Sequence, residues 1–275
     1  MSGDVDGKIA IITGAAGGIG REIAKLFDEK GILLSLADVD RGGLERLSLE
    51  LSGSPLIVEC DVTDRESVSG LIERTVSEMG GLDILVSNAG VIRPELFEDA
   101  SYENIDLQVG VNLMGAVHVT REAIPAMKQR GGGHIVMIVS LAGLIPETRA
   151  AVYTTTKFGL RGLGLTLNLE LRNRNIMVSN VFPDSVATPM LEYEAKHGGS
   201  PLTFLGEPLK TEAVAAAVWK AIEKKKIEVY VPHSMGILSK IASLFPALIP
   251  LLWPLLEKAG ERRMRKKGIR TDIVS

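Results

Sequence analysis

The chain has 275 residues, 45% of them hydrophobic and 24% charged, enough for one large α/β core or two small domains. A net charge of −3 leaves no global basic field for nucleic acid, and the single cysteine, Cys60, excludes an intrachain disulfide and a multi-cysteine metal site. No metal site is expected, and Cys60 reads as a small buried hydrophobe.

No Pro/Gly/Ser-rich linker or internal repeat divides the chain, so one domain is expected over residues 1–232, with an extension at 233–275. Residues 1–8 are acidic and polar, unlike a signal peptide, and imply a cytosolic or cytosol-facing location.

The first apolar run, 8–13, reads as a strand and leads into Thr13-Gly14-Ala15-Ala16-Gly17-Gly18-Ile19-Gly20, then a helix over 19–30. Gly14 permits a tight turn, Gly18 lets backbone approach a pyrophosphate, and Gly20 lets the helix pack close to the sheet. The strand-loop-helix setting makes Gly14, Ala16, Gly18, Ile19 and Gly20 candidate cofactor contacts, with helical N–H groups facing phosphate. A second strand, 32–37, ends at Asp38, about 20 residues past the loop, as a dinucleotide site requires. A carboxylate there accepts hydrogen bonds from ribose hydroxyls and repels a 2′-phosphate, which favours NAD over NADP. Arg41, nearby, weakens that argument.

Strands at 56–59, 82–87, 134–140, 176–182 and 227–231 alternate with helices at 43–51, 65–79, 103–129, 151–172 and 212–224. The strands are continuous apolar runs, as strands covered on both faces are. The order implies a Rossmann-like, doubly wound, seven-stranded parallel sheet with helices on both faces and ligands at the carboxyl ends of the strands.

Ser140 closes the fifth strand, and Tyr153 and Lys157 project from one face of the next helix. A free tyrosine titrates near ~10, and a nearby ammonium lowers that value and makes proton exchange with an alcohol feasible.

In combination these residues resemble the short-chain dehydrogenase/reductases, from about residue 8 to residue 232. The resemblance rests on Thr13–Gly20, on Asp61-Val62, on Asn88-Ala89-Gly90, on Asn112, on Ser140, and on the Tyr153/Lys157 pair 13 residues beyond Ser140. It implies that Tyr153 is the general acid–base, that Lys157 binds the nicotinamide ribose and lowers the Tyr153 pKa, and that Ser140 orients the substrate oxygen. Asn112 would distort its helix and hold a water on the proton path to Lys157. Asp61 and Val62 would contact adenine. Asn88, Ala89 and Gly90 would line the adenosine ribose and brace the sheet. Pro183, Val186 and Thr188 would lie at the nicotinamide. Three positions depart from the family pattern: Ser87 before Asn88, Val139 before Ser140, and Asp184 after Pro183.

Residues 187–210 would form a mobile substrate lobe of mostly apolar character, in which His197 is either a substrate contact or idle. Beyond Pro232, residues 235–256 are almost all apolar, with Pro246, Pro250 and Pro254 spaced so that no straight helix is expected. Trp253 and then Lys258, Arg262, Arg263, Arg265, Lys266, Lys267 and Arg270 follow. That order suits either a membrane-surface anchor or a cap over the substrate entrance.

The expected activity is NAD(H)-dependent interconversion of a hydrophobic secondary alcohol (steroid, retinoid-like or 3-oxoacyl type) and its ketone. The rival readings are a non-catalytic dinucleotide sensor and a membrane-associated scaffold. A homodimer or homotetramer is expected, with Gly159, Gly162 and Gly164 allowing close helix approach.

Overall fold

The computed structural model describes residues 5–269; the acidic residues 1–4 and Arg270 lie outside them. Seven strands, all paired in parallel, form one sheet in the order β3-β2-β1-β4-β5-β6-β7. They are β1 (Ile9–Thr13), β2 (Leu33–Asp38), β3 (Leu56–Glu59), β4 (Ile84–Ser87), β5 (Gly133–Ile138), β6 (Ile176–Pro183) and β7 (Glu228–Val231). Every residue of β1 and β4 is buried, the physical reason these strands read as unbroken apolar runs.

Helices cover both faces. On one, α1 (Gly18–Asp28), α2 (Arg41–Ser48) and α8 (Thr211–Glu223) supply Ile23, Phe27, Leu44, Val214 and Val218 to the core. On the other, α3 (Arg65–Met79), α5 (Ala116–Gln129) and α6 (Ala151–Leu171) supply Leu71, Val119, Ala123, Leu160 and Leu171. Cys60 is buried in this second layer, as its hydrophobic reading requires. The chain leaves β1 for β2 and β3, then returns to pair β4 on the other edge of β1, so the strand order reverses there. A ligand crevice opens at such a reversal.

The stretch expected as a helix over 103–129, distorted at Asn112, is α4 (Tyr102–Gln108) joined to α5 by a π-helical stretch, Val109–Gly115. The side chain of Asn112 is fully buried and turned onto the backbone of Val91, 2.9 Å to its carbonyl and 2.7 Å from its N–H. At Gly115 a Cβ would lie 2.5 Å from the Val62 side chain, so the wide turn packs flush on the turn that follows β3.

The segment 187–210, expected as a lobe over the substrate, contains a helix that periodicity alone did not delimit, α7 (Pro189–Lys196), capped by Thr188, whose hydroxyl accepts from the Leu191 N–H, with proline in its first turn. The extension is helical but not straight. α9 (His233–Ser243) and the helical stretch Pro246–Lys266, whose main part is α10 (Ile249–Lys266), meet at 98°. α10 clamps the lobe: Gly260 lies so close to residues 201–204 that a Cβ would stand 2.1 Å from the Pro201 carbonyl oxygen. Arg263 bonds the Leu205 carbonyl, and Arg263 and Lys267 pair with Glu207. Thr148, in the loop before α6, donates to Glu257 at 2.6 Å.

Candidate active site

At the carboxyl ends of the strands lies a cleft of about 580 Å³. Its cofactor half is assembled on β1 and β4. Gly14 turns the chain off β1 at φ +64°, and the Thr13 hydroxyl accepts the N–H groups of Asn88 and Ala89 at 3.0 and 3.2 Å. The Asn88 amide donates to the carbonyls of Thr13 and Gly14, both at 3.0 Å, latching the loop to the sheet. Behind this latch, a Cβ on Gly20 would meet the Gly14 oxygen at 2.3 Å. Gly17 gives α1 no side-chain cap, and no acidic residue occupies its first turn, so its leading N–H groups stay open to an anion.

Asp38, at the tip of β2, accepts the Ala16 N–H through one oxygen and the Asp40 N–H through the other, each at 3.0 Å. Arg41 is turned away onto Glu45 at 3.0 Å and does not neutralise Asp38. Asp61 accepts both the N–H and the hydroxyl of Thr63 through one oxygen.

Of the residues singled out from sequence, Gly14, Gly18, Ile19, Asp38, Asp61, Val62, Asn88, Ala89, Gly90, Ser140, Tyr153, Lys157, Pro183, Val186 and Thr188 border the cleft. Ala16, Gly20 and Asn112 stand behind it: Ala16 holds Asp38, Gly20 packs the loop, and Asn112 clasps Val91 next to Gly90. His197 is not at the cleft; its ring stacks on Tyr193 with centroids 3.8 Å apart.

The other half, which holds the expected catalytic residues, is built on β5 and α6. Ser140 follows β5 at φ +152°, a backbone conformation that non-glycine residues rarely adopt, and its hydroxyl accepts the Ala142 N–H at 3.1 Å and pairs with the Tyr153 phenol. Lys157, 4% exposed, donates to the Ile138 carbonyl at 3.0 Å, with its Nζ 5.4 Å from the Tyr153 ring centre. Burial pushes the Lys157 pKa down to about 8.

The expected lowering of the Tyr153 pKa is corrected by the structure. Burial first, then the charges of Glu194 and Glu147, push it well above the ordinary phenol value, and the Ser140 hydrogen bond offsets only part of this. Glu147 and Glu194 were not found by sequence reasoning. Glu147 is pushed up to about 7 by burial and by Asp184, and accepts from the Thr203 hydroxyl. Glu194 is pushed up to about 8 by burial and by Glu147. Asp184, the departure noted after Pro183, is raised mainly by burial and accepts the Ser185 N–H at 2.8 Å.

Comparison with known proteins agrees with this geometry. A family model described as short chain dehydrogenase matches residues 8–198. The chain is 35% identical over 191 residues to a 3-oxoacyl-[acyl-carrier-protein] reductase of Thermotoga maritima, covering 68% of this chain and 78% of that protein. The crystal structure of a 3-ketoacyl-(acyl-carrier-protein) reductase from Brucella melitensis complexed with NADH is similar at TM-score 0.77 and 30% identity, over 82% of this chain and 97% of that one. A short chain dehydrogenase/reductase from Burkholderia phymatum in complex with NAD is similar at TM-score 0.81 and 26% identity, over 90% of this chain and 96% of that one.

Proposed function

This chain belongs to the short-chain dehydrogenase/reductase family, oxidoreductases that use a nicotinamide dinucleotide, and we propose that it interconverts a lipophilic secondary alcohol and its ketone with NAD(H). The observation that carries the reading is one cleft with a phosphate-sized turn and Asp38 at one end and Ser140, Tyr153 and Lys157 at the other. A dinucleotide fits the residues present. A side chain on Gly18 would fill the gap to Thr188, 2.9 Å from a built Cβ, and Asp38 reaches toward ribose without a cation beside it. The preference for NAD over NADP follows from that uncompensated carboxylate. When bound, the nicotinamide supplies the hydride acceptor or donor.

The chain's own residues do the rest. Ser140 holds the substrate oxygen by its hydroxyl, and Tyr153 takes the alcohol proton during oxidation or returns it during reduction. Lys157, with its ammonium beside the Tyr153 ring, favours the phenolate whenever it is charged. Asn112 holds the backbone of Val91, and with it the wall formed by Gly90, against Lys157. Leu107, Val111, Leu141, Met190 and Leu191 give the substrate half an apolar lining, which supports a lipophilic substrate.

Two surfaces extend this reading. The extension clamps the lobe and also turns Leu238, Ile241, Leu244, Phe245, Leu251, Leu252 and Leu255 outward. No single helix among the described residues is long and apolar enough to cross a membrane, while the bent pair passes by length and composition. An apolar face followed by basic residues fits the surface of an anionic bilayer, and its seat on the lobe brings lipophilic substrate to the cleft. Phe158, Leu165 and Leu169 of α6 are exposed, and a Cβ on Gly162 would meet nothing, so this helix offers a face to a second copy. Gly164 is explained within the chain, packed on Asn180, and Gly159 faces Leu113.

The test is NADH formation across a panel of hydrophobic secondary alcohols, with Tyr153→Phe as control. Turnover that collapses in the variant supports the reading. Intact NADH binding with no turnover on any member supports the non-catalytic sensor instead.

A further inference from the structure

Three carboxylates from separate segments border the catalytic half of the cleft: Glu147 from the loop before α6, Asp184 after β6, and Glu194 on α7. The charge of Asp184 bears on Glu147, that of Glu147 on Glu194, and those of Glu147 and Glu194 on Tyr153. Two have hydrogen-bond donors, the Thr203 hydroxyl for Glu147 and the Ser185 N–H for Asp184. The Glu194 carboxylate has neither a hydrogen bond nor a counter-ion among the described residues, although the residue is only 7% exposed. A carboxylate so little exposed and without a partner is costly to keep charged, and this one borders the cleft.

Among the described residues that line the cleft, no free cation offsets this cost. Lys157 is the only cation among the described residues lining the cleft, and its Nζ is committed to the Ile138 carbonyl. Arg93 lies over the Tyr193 ring, 4.9 Å from its centre, and Arg149 bonds the Gly198 carbonyl, and neither borders the cleft. Among the described residues no group of three or more His, Cys, Asp or Glu is placed to hold a metal ion, so the arrangement suits an organic cation.

We propose that Glu194 and Glu147 form a subsite for the ammonium group of the substrate, which is therefore a lipophilic amino alcohol or the corresponding amino ketone. This rests on the reading of the cleft as an oxidoreductase site and names its substrate class. The ammonium sits between the two carboxylates while the reacting oxygen meets Ser140 and Tyr153, and Leu141, Met190 and Leu191 take the apolar body. Binding also primes the proton transfer. The charges of Glu194 and Glu147 hold the Tyr153 proton in place, and a cation seated against them removes that bias.

The test is isothermal calorimetry on the NADH-loaded protein at pH 8, comparing hexylammonium with 1-hexanol and 1,2-hexanediol. The expected result is hexylammonium binding at least about tenfold more tightly than either alcohol, the scale of one favourable charge contact. Glu194→Gln should reduce that preference to below about threefold, and Glu147→Gln should reduce it in part, with NADH affinity as the control for folding. Equal binding of hexylammonium and hexanol by the parent protein, tighter binding of the diol, or a preference that survives in both variants would overturn the proposal. No turnover is needed, so a cleft that binds NADH and hexylammonium but oxidises no alcohol would sink the catalytic reading and leave the subsite standing.

Discussion

Replacing Asn112 by alanine isolates what the π-helical stretch contributes. The Asn112 side chain is fully buried and makes two hydrogen bonds to one peptide segment, 2.7 Å from the Val91 N–H and 2.9 Å to the Val91 carbonyl, with a longer contact of 3.4 Å to Thr156. Alanine leaves both Val91 groups without their partner in a half-buried setting, at about 1–2 kcal/mol each, or about 2–4 kcal/mol together. Urea unfolding of the cofactor-free protein should show a loss of this size with an unchanged slope, and Asn112→Asp, which sets a buried carboxylate oxygen against the Val91 carbonyl, should cost at least as much. Because Val91 adjoins Gly90, whose built Cβ stands 3.9 Å from the Lys157 Nζ, kcat should also fall at least about tenfold. A stability change under about 0.5 kcal/mol in the alanine variant would refute the clasp, since an ordinary surface substitution costs no more.

Three further outcomes follow. Asp38→Ser removes the carboxylate that Arg41 leaves uncompensated, and the ratio of kcat/KM for NAD over NADP should drop at least about tenfold; an unchanged ratio contradicts the assigned role. His134, buried against the Ser179 hydroxyl at 2.7 Å, is held neutral with its pKa lowered to about 4, first by burial and then by Lys225. The unfolded state binds its proton more readily, so this contribution is complete above about pH 6.5 and is lost as pH falls toward 4, amounting to roughly 3 kcal/mol; urea unfolding between those pH values should show it, and His134→Gln should flatten the slope. Leu251→Glu with Leu255→Glu, at positions 71% and 68% exposed, should abolish sedimentation with phosphatidylserine vesicles while leaving thermal stability unchanged; undiminished sedimentation would remove the membrane-surface reading.

The central strands were legible because they are buried on both faces, so that hydrophobicity alone marks residues 9–13 or 84–87. The cofactor half was legible because its parts are local: Thr13–Gly20 is one turn, and Asp38 follows at a fixed distance. The distortion at Asn112 was expected only through the family resemblance, because a wider turn leaves the apolar pattern of 103–129 nearly intact, and the contact that accompanies it, Asn112 with Val91, spans 21 residues. α7 carried a readable start in Thr188-Pro189, but its short apolar pattern resembles loop. Glu147 and Glu194 were invisible for a deeper reason. An acidic residue in a polar segment reads as solvated, and only the tertiary packing around the cleft leaves Glu194 buried and Glu147 half-buried. The same packing reverses the direction expected for Tyr153, whose partner Lys157 was apparent from spacing while the two opposing carboxylates were not. In the extension, the proline spacing indicated a break, and the chain bends by 98° near Pro246, although Pro254 is accommodated inside α10.

The central claim is that Tyr153 moves the proton while a separate part of the cleft holds the dinucleotide. Its most direct test is single-turnover reduction of NAD, followed by NADH fluorescence, with an oxidisable alcohol and with the parent protein and Tyr153→Phe compared at equal cofactor saturation. The account predicts that NADH affinity changes by less than about threefold while the rate of the chemical step falls by at least about a hundredfold, the span of a lost general base. A Tyr153→Phe protein that turns over at the parent rate, or that loses NADH binding in parallel with activity, would contradict it.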